Sequence, residues 1–278
     1  MTESELPKTV FRYRPPTKYA FAELATNSIW MSSVEDFNDP FEFQFNVGDF
    51  ADTPENRAFA AESLVDEYPP EFAEEIKALM NVQDWDEMER APLKSGEFLS
   101  GLLPKSGVCC FSEICDSYLM WGHYAASHTG FVVEYRTDSF PLSEIQPVRY
   151  GEQFHVVDYK EMIRALPDLY EKIMTHKGHQ WAYEQEYRLI HKGRESKVSL
   201  PIEPSAIKAI YFGARCERSD RSTVGRLVAD LDVELYEAEL LTDRYGMEFK
   251  RLEYIPERTS LAARLESSSE PVFGQTDT

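Results

Sequence analysis

Trp181-Ala182-Tyr183-Glu184-Gln185-Glu186-Tyr187-Arg188-Leu189-Ile190 fits two periods at once. Tyr183, Tyr187 and Ile190 repeat at four and three residues, as a helix requires. An extended chain instead puts Glu184, Glu186 and Arg188 on one face and Tyr183, Tyr187 and Leu189 on the other. Tyr187, Leu189 and the aromatic density favour a helical or looped start at Trp181 leading into an extended segment from Glu186 to His191. The carboxylates then form a polar cleft wall. Two acids facing one cleft repel, so one of them gains proton affinity, and Arg188 offsets the repulsion.

Outward from that segment the chain mixes strands and helices. Val10 to Arg14 alternates as a strand, with Phe11 and Tyr13 on one face and Val10, Arg12 and Arg14 on the other, and Pro15-Pro16 ends it. Thr17 caps a helix to about Asn27, and Ser28 to Ser33 is a second strand. Asp36-Phe37-Asn38-Asp39-Pro40-Phe41 is turn chemistry, because Asn and Asp side chains bond nearby backbone. Val108 to Ser112 is a short strand. Asp116 or Ser117 then caps a helix with Met120, Trp121, Tyr124, Ala125 and His128 on one stripe and Gly130 as its stop. Phe131 to Tyr135 continues as a strand. Further strands are expected at 147–150, 197–203, 207–212 and 233–240, an edge strand at 249–254, and helices near 159–176 and 219–231.

The fold class this implies is α+β, a single domain over residues 1–266 with a mixed, mainly antiparallel sheet flanked by helices. A chain of 278 residues with 42% hydrophobic content is long enough to bury one sizeable core. The region from about 49 to 105 reads as a helical acidic insertion. Between Asp49 and Leu93 there are thirteen Asp or Glu against three Lys or Arg, a net −10 that makes up half of the chain's −20. A solvated acidic face explains that charge most simply, and a protein-partner surface is the alternative. Residues 267–278 read as a disordered tail.

The same charge balance opposes general nucleic-acid binding. No apolar run approaches the roughly 20 residues of a membrane-spanning helix, and the first residues lack an export pattern, so a cytoplasmic protein without membrane contact is expected. Cys109, Cys110, Cys115 and Cys216 follow no zinc-ligand spacing and read as reduced, structural thiols. His123 and His128 lie about 140° apart around a helix, and His176 and His179 lack a third nearby ligand, so no metal site is expected.

Three separated places put polar groups on core-like strands: Arg12 with Arg14, Ser112, and Glu184 with Glu186. An arginine forks onto a pyrophosphate, a serine hydroxyl orients a ribose or amide, and a glutamate holds a ribose hydroxyl while stabilising an oxocarbenium ion. This order resembles the Arg, Ser, Glu-x-Glu layout of ADP-ribosyltransferases. The resemblance implies NAD as substrate rather than as a required cofactor, with Glu186 as the catalytic glutamate, Glu184 as the group that activates an acceptor, and Ser112 beside them. In the plainer reading, Arg12 and Arg188 pair with Glu184, Glu186 or another carboxylate at a cleft rim.

A second resemblance rests on SIWMSSVEDFNDPFE, VCCFSE, DSYLMWGHYAASHTGFVVEY, KGHQWAYEQEYRLI and AIKAIYFG. Together these are similar to a bacterial family, domain of unknown function 2971, which lacks an established reaction; some members sit near mobile-element or phage-defence functions. It marks Asn38, Asp39, Pro40, Trp121, His123, Tyr124, His128, Gly130, Trp181, Glu184, Glu186 and Arg188. Arg12, Arg14, Asn38, Asp39, Trp121, Tyr124, His128, Trp181 and Arg188 are accordingly the expected substrate contacts. Plainer roles stand beside these: turn formation for Asn38 and Asp39, core packing for Trp121 and Tyr124, and for His128 a contact with the negative pole of its helix. Two functions remain open: an ADP-ribosyltransferase-like enzyme acting in phage defence or as a toxin, and a non-catalytic sensor or effector binding a ligand between the FNDPF turn and the Trp121 helix.

Overall fold

The computed structural model of the protein describes residues 6–48, 106–158, 166–192 and 196–253, with isolated positions between 53 and 62. The expected acidic insertion falls almost entirely outside the described residues, and the expected tail wholly so. In chain order the elements are β1 (Thr9–Arg14), α1 (Lys18–Thr26), β2 (Ser28–Ser33), β3 (Phe45–Val47), β4 (Ser106–Ser112), α2 (Tyr118–Tyr124), β5 (Phe131–Arg136), β6 (Gln146–Pro147), β7 (Arg149–Gly151), β8 (His155–Val157), α3 (Leu166–Met174), β9 (His176–Gly178), β10 (Glu186–Lys192), β11 (Val198–Pro201), β12 (Ile207–Phe212), α4 (Arg218–Leu227), β13 (Glu234–Leu240) and β14 (Met247–Arg251). The class is α+β, and the main sheet is mixed and largely antiparallel.

Its path runs β11-β2-β4-β1-β5-β12-β13-β14, with β10 added to β4 and β6 to β10. The one parallel pair described in this sheet, β12 with β13, is joined through α4, the helical crossover that parallel neighbours need. The decisive irregularity is at β4. One edge pairs along its whole length with β10, from Glu186↔Ser112 to Lys192↔Ser106. The other edge is shared: β2 takes Gly107 and Val108, and β1 takes Ser112. Beyond those contacts β1 turns to β5 and β2 turns to β11, so the sheet forks.

Local chemistry sets the element ends. The Thr17 side chain accepts from Ala20 N–H, and Asn27 stops α1 in the left-handed region at φ 46. Ser117 caps α2 through Met120 N–H. The sequence pattern carried this helix on to His128, but it ends at Tyr124, and Ala126, Ser127 and His128 form a left-handed turn with φ 47, 55 and 70. Gly130 N–H then bonds Ala125 O at 2.9 Å, and a Cβ on Gly130 would collide with Arg14 O, so only glycine lets this turn pack against β1.

Two apolar layers cover the sheet. On one face Val10, Leu24, Phe131, Val133, Ile207 and Val224 pack beneath α1 and α4; on the other Tyr13, Met120, Trp121 and Val132 pack with α2. Among the described residues no helix is long and apolar enough to cross a membrane.

Candidate functional site

At the fork lies a cavity of ≈ 230 Å³, and its wall is built from β1, β2, β4, α2 and the segment leading into β10. Arg12, Arg14, Asn38, Ser112, Tyr124, Glu184 and Glu186 all line it, although they come from five separate stretches of chain. Ser32, Cys110 and Lys177 line it as well.

The two arginines point to the α1 face, where a single carboxylate meets both. Glu23 Oε1 accepts from Arg12 Nη1 at 3.0 Å and from Trp30 N–H at 2.7 Å, and Glu23 Oε2 sits 2.7 Å from Arg14 Nη2. Arg12 Nη2 also donates to Trp30 O at 3.1 Å, which ties β1 to β2 across the fork. Arg12 is therefore engaged within the protein rather than open to a pyrophosphate, whereas the buried Nε of Arg14 has no hydrogen-bond partner among the described residues. Burial, followed by repulsion from Arg12, lowers the proton affinity of Arg14 despite Glu23. Two guanidinium groups on one carboxylate leave this side of the cavity positive.

The opposite side is acidic. Glu184 closes a 3₁₀ turn over 179–184, Gln185 adopts φ 44, and Glu186 opens β10, so the helical start and extended continuation occur in one segment. This overturns the arrangement of Glu184, Glu186 and Arg188 on a single strand face: only Glu186 and Arg188 lie on the strand. Glu184 meets Glu186 through Lys177, whose Nζ donates to Glu184 Oε2 at 2.6 Å and to Glu186 Oε2 at 2.8 Å. Arg188 Nε donates to Glu186 Oε1 at 2.7 Å, its Nη2 reaches Glu42 Oε2 at 2.9 Å, and its Nη1 donates to Met174 O at 2.7 Å. Lys177 also pairs with Glu42 at 3.2 Å. Three carboxylates against two cations leave one negative charge in excess, all of it buried.

The two sequence-adjacent acids are pushed apart in proton affinity. Burial raises Glu184, and neither Lys177 nor the Tyr124 hydroxyl, which donates to Glu184 Oε1 at 2.7 Å, fully reverses it. Burial acts the same way on Glu186, but Arg188 and Lys177 outweigh it and hold that carboxyl at about 2. Burial and then the Glu184 charge raise the Tyr124 phenol, keeping it a hydrogen-bond donor. Ser112 is engaged as well: its Oγ donates to Glu184 O at 2.6 Å and accepts from Ile114 N–H at 3.2 Å.

Other expected contacts lie elsewhere. Trp121 is fully buried, donates Nε1–H to Cys115 O at 2.7 Å and stacks on His128, so it is a packing residue. His128 sits in the left-handed turn, and burial with nearby Arg215 lowers its proton affinity, so it does not act as a cation at the end of α2. Arg188 is buried behind Glu186 and does not line the cavity. Asp39 accepts from Phe41 N–H at 2.9 Å, the expected turn chemistry, and with Trp181 it lines a neighbouring cavity.

Sequence reasoning missed Glu23, Glu42 and Lys177. Glu23 and Glu42 lie in a helix and a turn, where a charge ordinarily reads as solvated; the one available signal was that buried arginines need carboxylates. Among the described residues no set of three or more His, Cys, Asp or Glu is arranged to hold a metal ion, and the three clustered glutamates are already paired with Lys177 and Arg188.

Residues 120–189 match the family model DUF2971, described as a protein of unknown function. No curated protein and no solved structure matches the chain. The DUF2971 match contains Tyr124, Lys177, Glu184 and Glu186 on the acidic side of the fork cavity and Arg188 behind them, while Arg12, Arg14, Glu23, Glu42 and Ser112 lie outside the match.

Proposed function

We propose that the fork cavity takes NAD or a related nucleotide and supports an ADP-ribosyl-transfer reaction. The observation that carries this reading is the meeting of Arg14, Ser112, Glu184 and Glu186 around one cavity, positive on the α1 side and negative on the α2 side. That polarity suits a ligand with an anionic pyrophosphate and a cationic nicotinamide. Arg14, with its unpartnered Nε, receives the pyrophosphate. In the reaction, the bond from ribose C1′ to the nicotinamide nitrogen breaks and its electron pair leaves with neutral nicotinamide. The carboxylates stabilise the resulting oxocarbenium ion, and an acceptor nucleophile attacks C1′ while giving its proton to Glu184. Glu184 rather than Glu186 suits proton transfer, because its affinity is raised while that of Glu186 is held near 2.

A second reading, ligand binding without turnover, is favoured by one observation: Ser112 and Glu186 are both fully engaged in internal contacts. A role in bacterial defence or as a toxin rests on the family resemblance alone.

NAD titration distinguishes these readings. At about 100 times the dissociation constant a ligand adds roughly 2.7 kcal/mol to stability, visible as a melting shift. The enzyme reading expects that shift together with nicotinamide release, loss of the shift in Arg14→Ala, and loss of release alone in Glu184→Gln. A shift without release supports the sensor. Absence of both removes NAD from consideration.

A further inference from the structure

Lys177 lines a second cavity besides the fork, ≈ 480 Å³ in volume, within the size range of small-molecule sites. Three aromatic rings from three different turns surround it. Phe41 follows the Asp39 turn, Phe154 lies between β7 and β8, and Trp181 belongs to the 3₁₀ turn before β10. The Phe41 and Phe154 rings are 6.3 Å apart, and the two residues are 67% and 37% exposed. The Trp181 ring lies 5.0 Å from Lys177 Nζ. Large rings left open to water around one hollow provide stacking surface for a planar ligand.

The polar lining narrows the class. Gln44, Gln153 and Gln180 line the hollow, and a glutamine side-chain amide offers both a donor and an acceptor, the pattern that pairs with the edge of an adenine. An anion fits poorly: Lys177, the one Lys or Arg among the described residues of the lining, is already bound by Glu42, Glu184 and Glu186, the His176 ring is engaged with Gln153 O at 2.8 Å, and Asp39 and Glu152 add acid to the wall beside His179. We infer that this cleft binds a neutral purine-type nucleobase, stacked on Phe41, Phe154 and Trp181 and read at its edge by glutamine amides. The inference does not require NAD in the fork. The base belongs either to a nucleotide that also reaches the fork past Lys177 or to a separate molecule.

Adenosine, which carries neither phosphate nor nicotinamide, tests the cleft directly on the full chain. Tryptophan fluorescence should change saturably with adenosine, and ribose should have no effect. The change should vanish in Trp181→Phe, and binding measured calorimetrically should weaken about 10-fold in Phe154→Ala, given roughly 1–3 kcal/mol per stacked base. Phe41 and Phe154 are exposed enough for both alanine variants to fold. No saturable response, or unchanged affinity in Phe41→Ala and Phe154→Ala, overturns the assignment. Repeating the titration with NAD present identifies the source: competition means one nucleotide spans both cavities, and additive binding means a separate base. Adenosine binding that survives a null NAD titration separates failure of the fork reading from failure of this one.

Discussion

Glu186 illustrates how one side chain couples the site to stability. Its carboxyl is held at about 2 against an ordinary value of 4.5, because Arg188 and Lys177 outweigh the effect of burial. A depressed carboxyl contributes stability above its unfolded value, and that stability is lost as pH falls through the folded one. The shift corresponds to about 3 kcal/mol. Acid unfolding should therefore show stability declining between pH 4.5 and about 2, followed by circular dichroism at a series of pH values. Glu186→Gln should remove most of that slope and lower stability at neutral pH by roughly 3–5 kcal/mol, since it leaves buried cations under-paired. A variant with the wild-type acid limb would show that Glu186 is not the titrating group. Glu184 acts in the opposite sense: its affinity is raised, so its ionisation opposes folding as pH rises.

The element that departs furthest from its sequence pattern is the end of α2. The apolar stripe from Met120 to His128 keeps helical spacing, yet the helix stops at Tyr124 and three non-glycine residues turn left-handed. Each such residue costs roughly 1–2 kcal/mol. Tertiary contacts hold the turn: His128 N–H bonds Trp121 O at 3.2 Å, Arg215 N–H bonds His128 O at 3.0 Å, and the His128 ring stacks on Trp121. The turn lets Gly130 meet β1 beside Arg14, so it helps to set one wall of the fork. Ala126→Gly should relieve part of the strain and raise stability by up to about 1 kcal/mol, after allowing for the greater unfolded-state freedom of glycine. A fall in melting temperature for this variant would mean that Ala126 packing outweighs its backbone strain.

Across the whole molecule the net charge of −20 is the dominant feature. Self-repulsion of that charge disfavours the compact state, and raising ionic strength from about 0.01 M to about 0.1 M shortens the screening length from roughly 30 Å to roughly 10 Å. The melting temperature should therefore rise over that range of sodium chloride. A decrease would show that attractive surface pairs, such as Lys197 with Asp36, outweigh the net repulsion. The buried cluster of Glu42, Lys177, Glu184, Glu186 and Arg188 is shielded from salt and should contribute little to the change.

Period and turn chemistry in the chain itself determined the strands at Ser28–Ser33 and Ile207–Phe212, the Thr17 cap, the Asp39 turn and the change from turn to strand at Glu186. These depend on neighbours a few residues apart, which a sequence displays directly. The short strands β3, β8 and β9 gave no such signal, because three residues are too few to establish a period. Arg12, Ser112, Glu184 and Glu186 were legible as polar residues in core-like segments. Their partners were not: Glu23, Glu42 and Lys177 are ordinary charged residues until the fork at β4 brings them against buried opposite charges. Only the tertiary structure decided which acid is held ionised and which is pushed towards protonation, because burial and distance to a cation are properties of the folded chain.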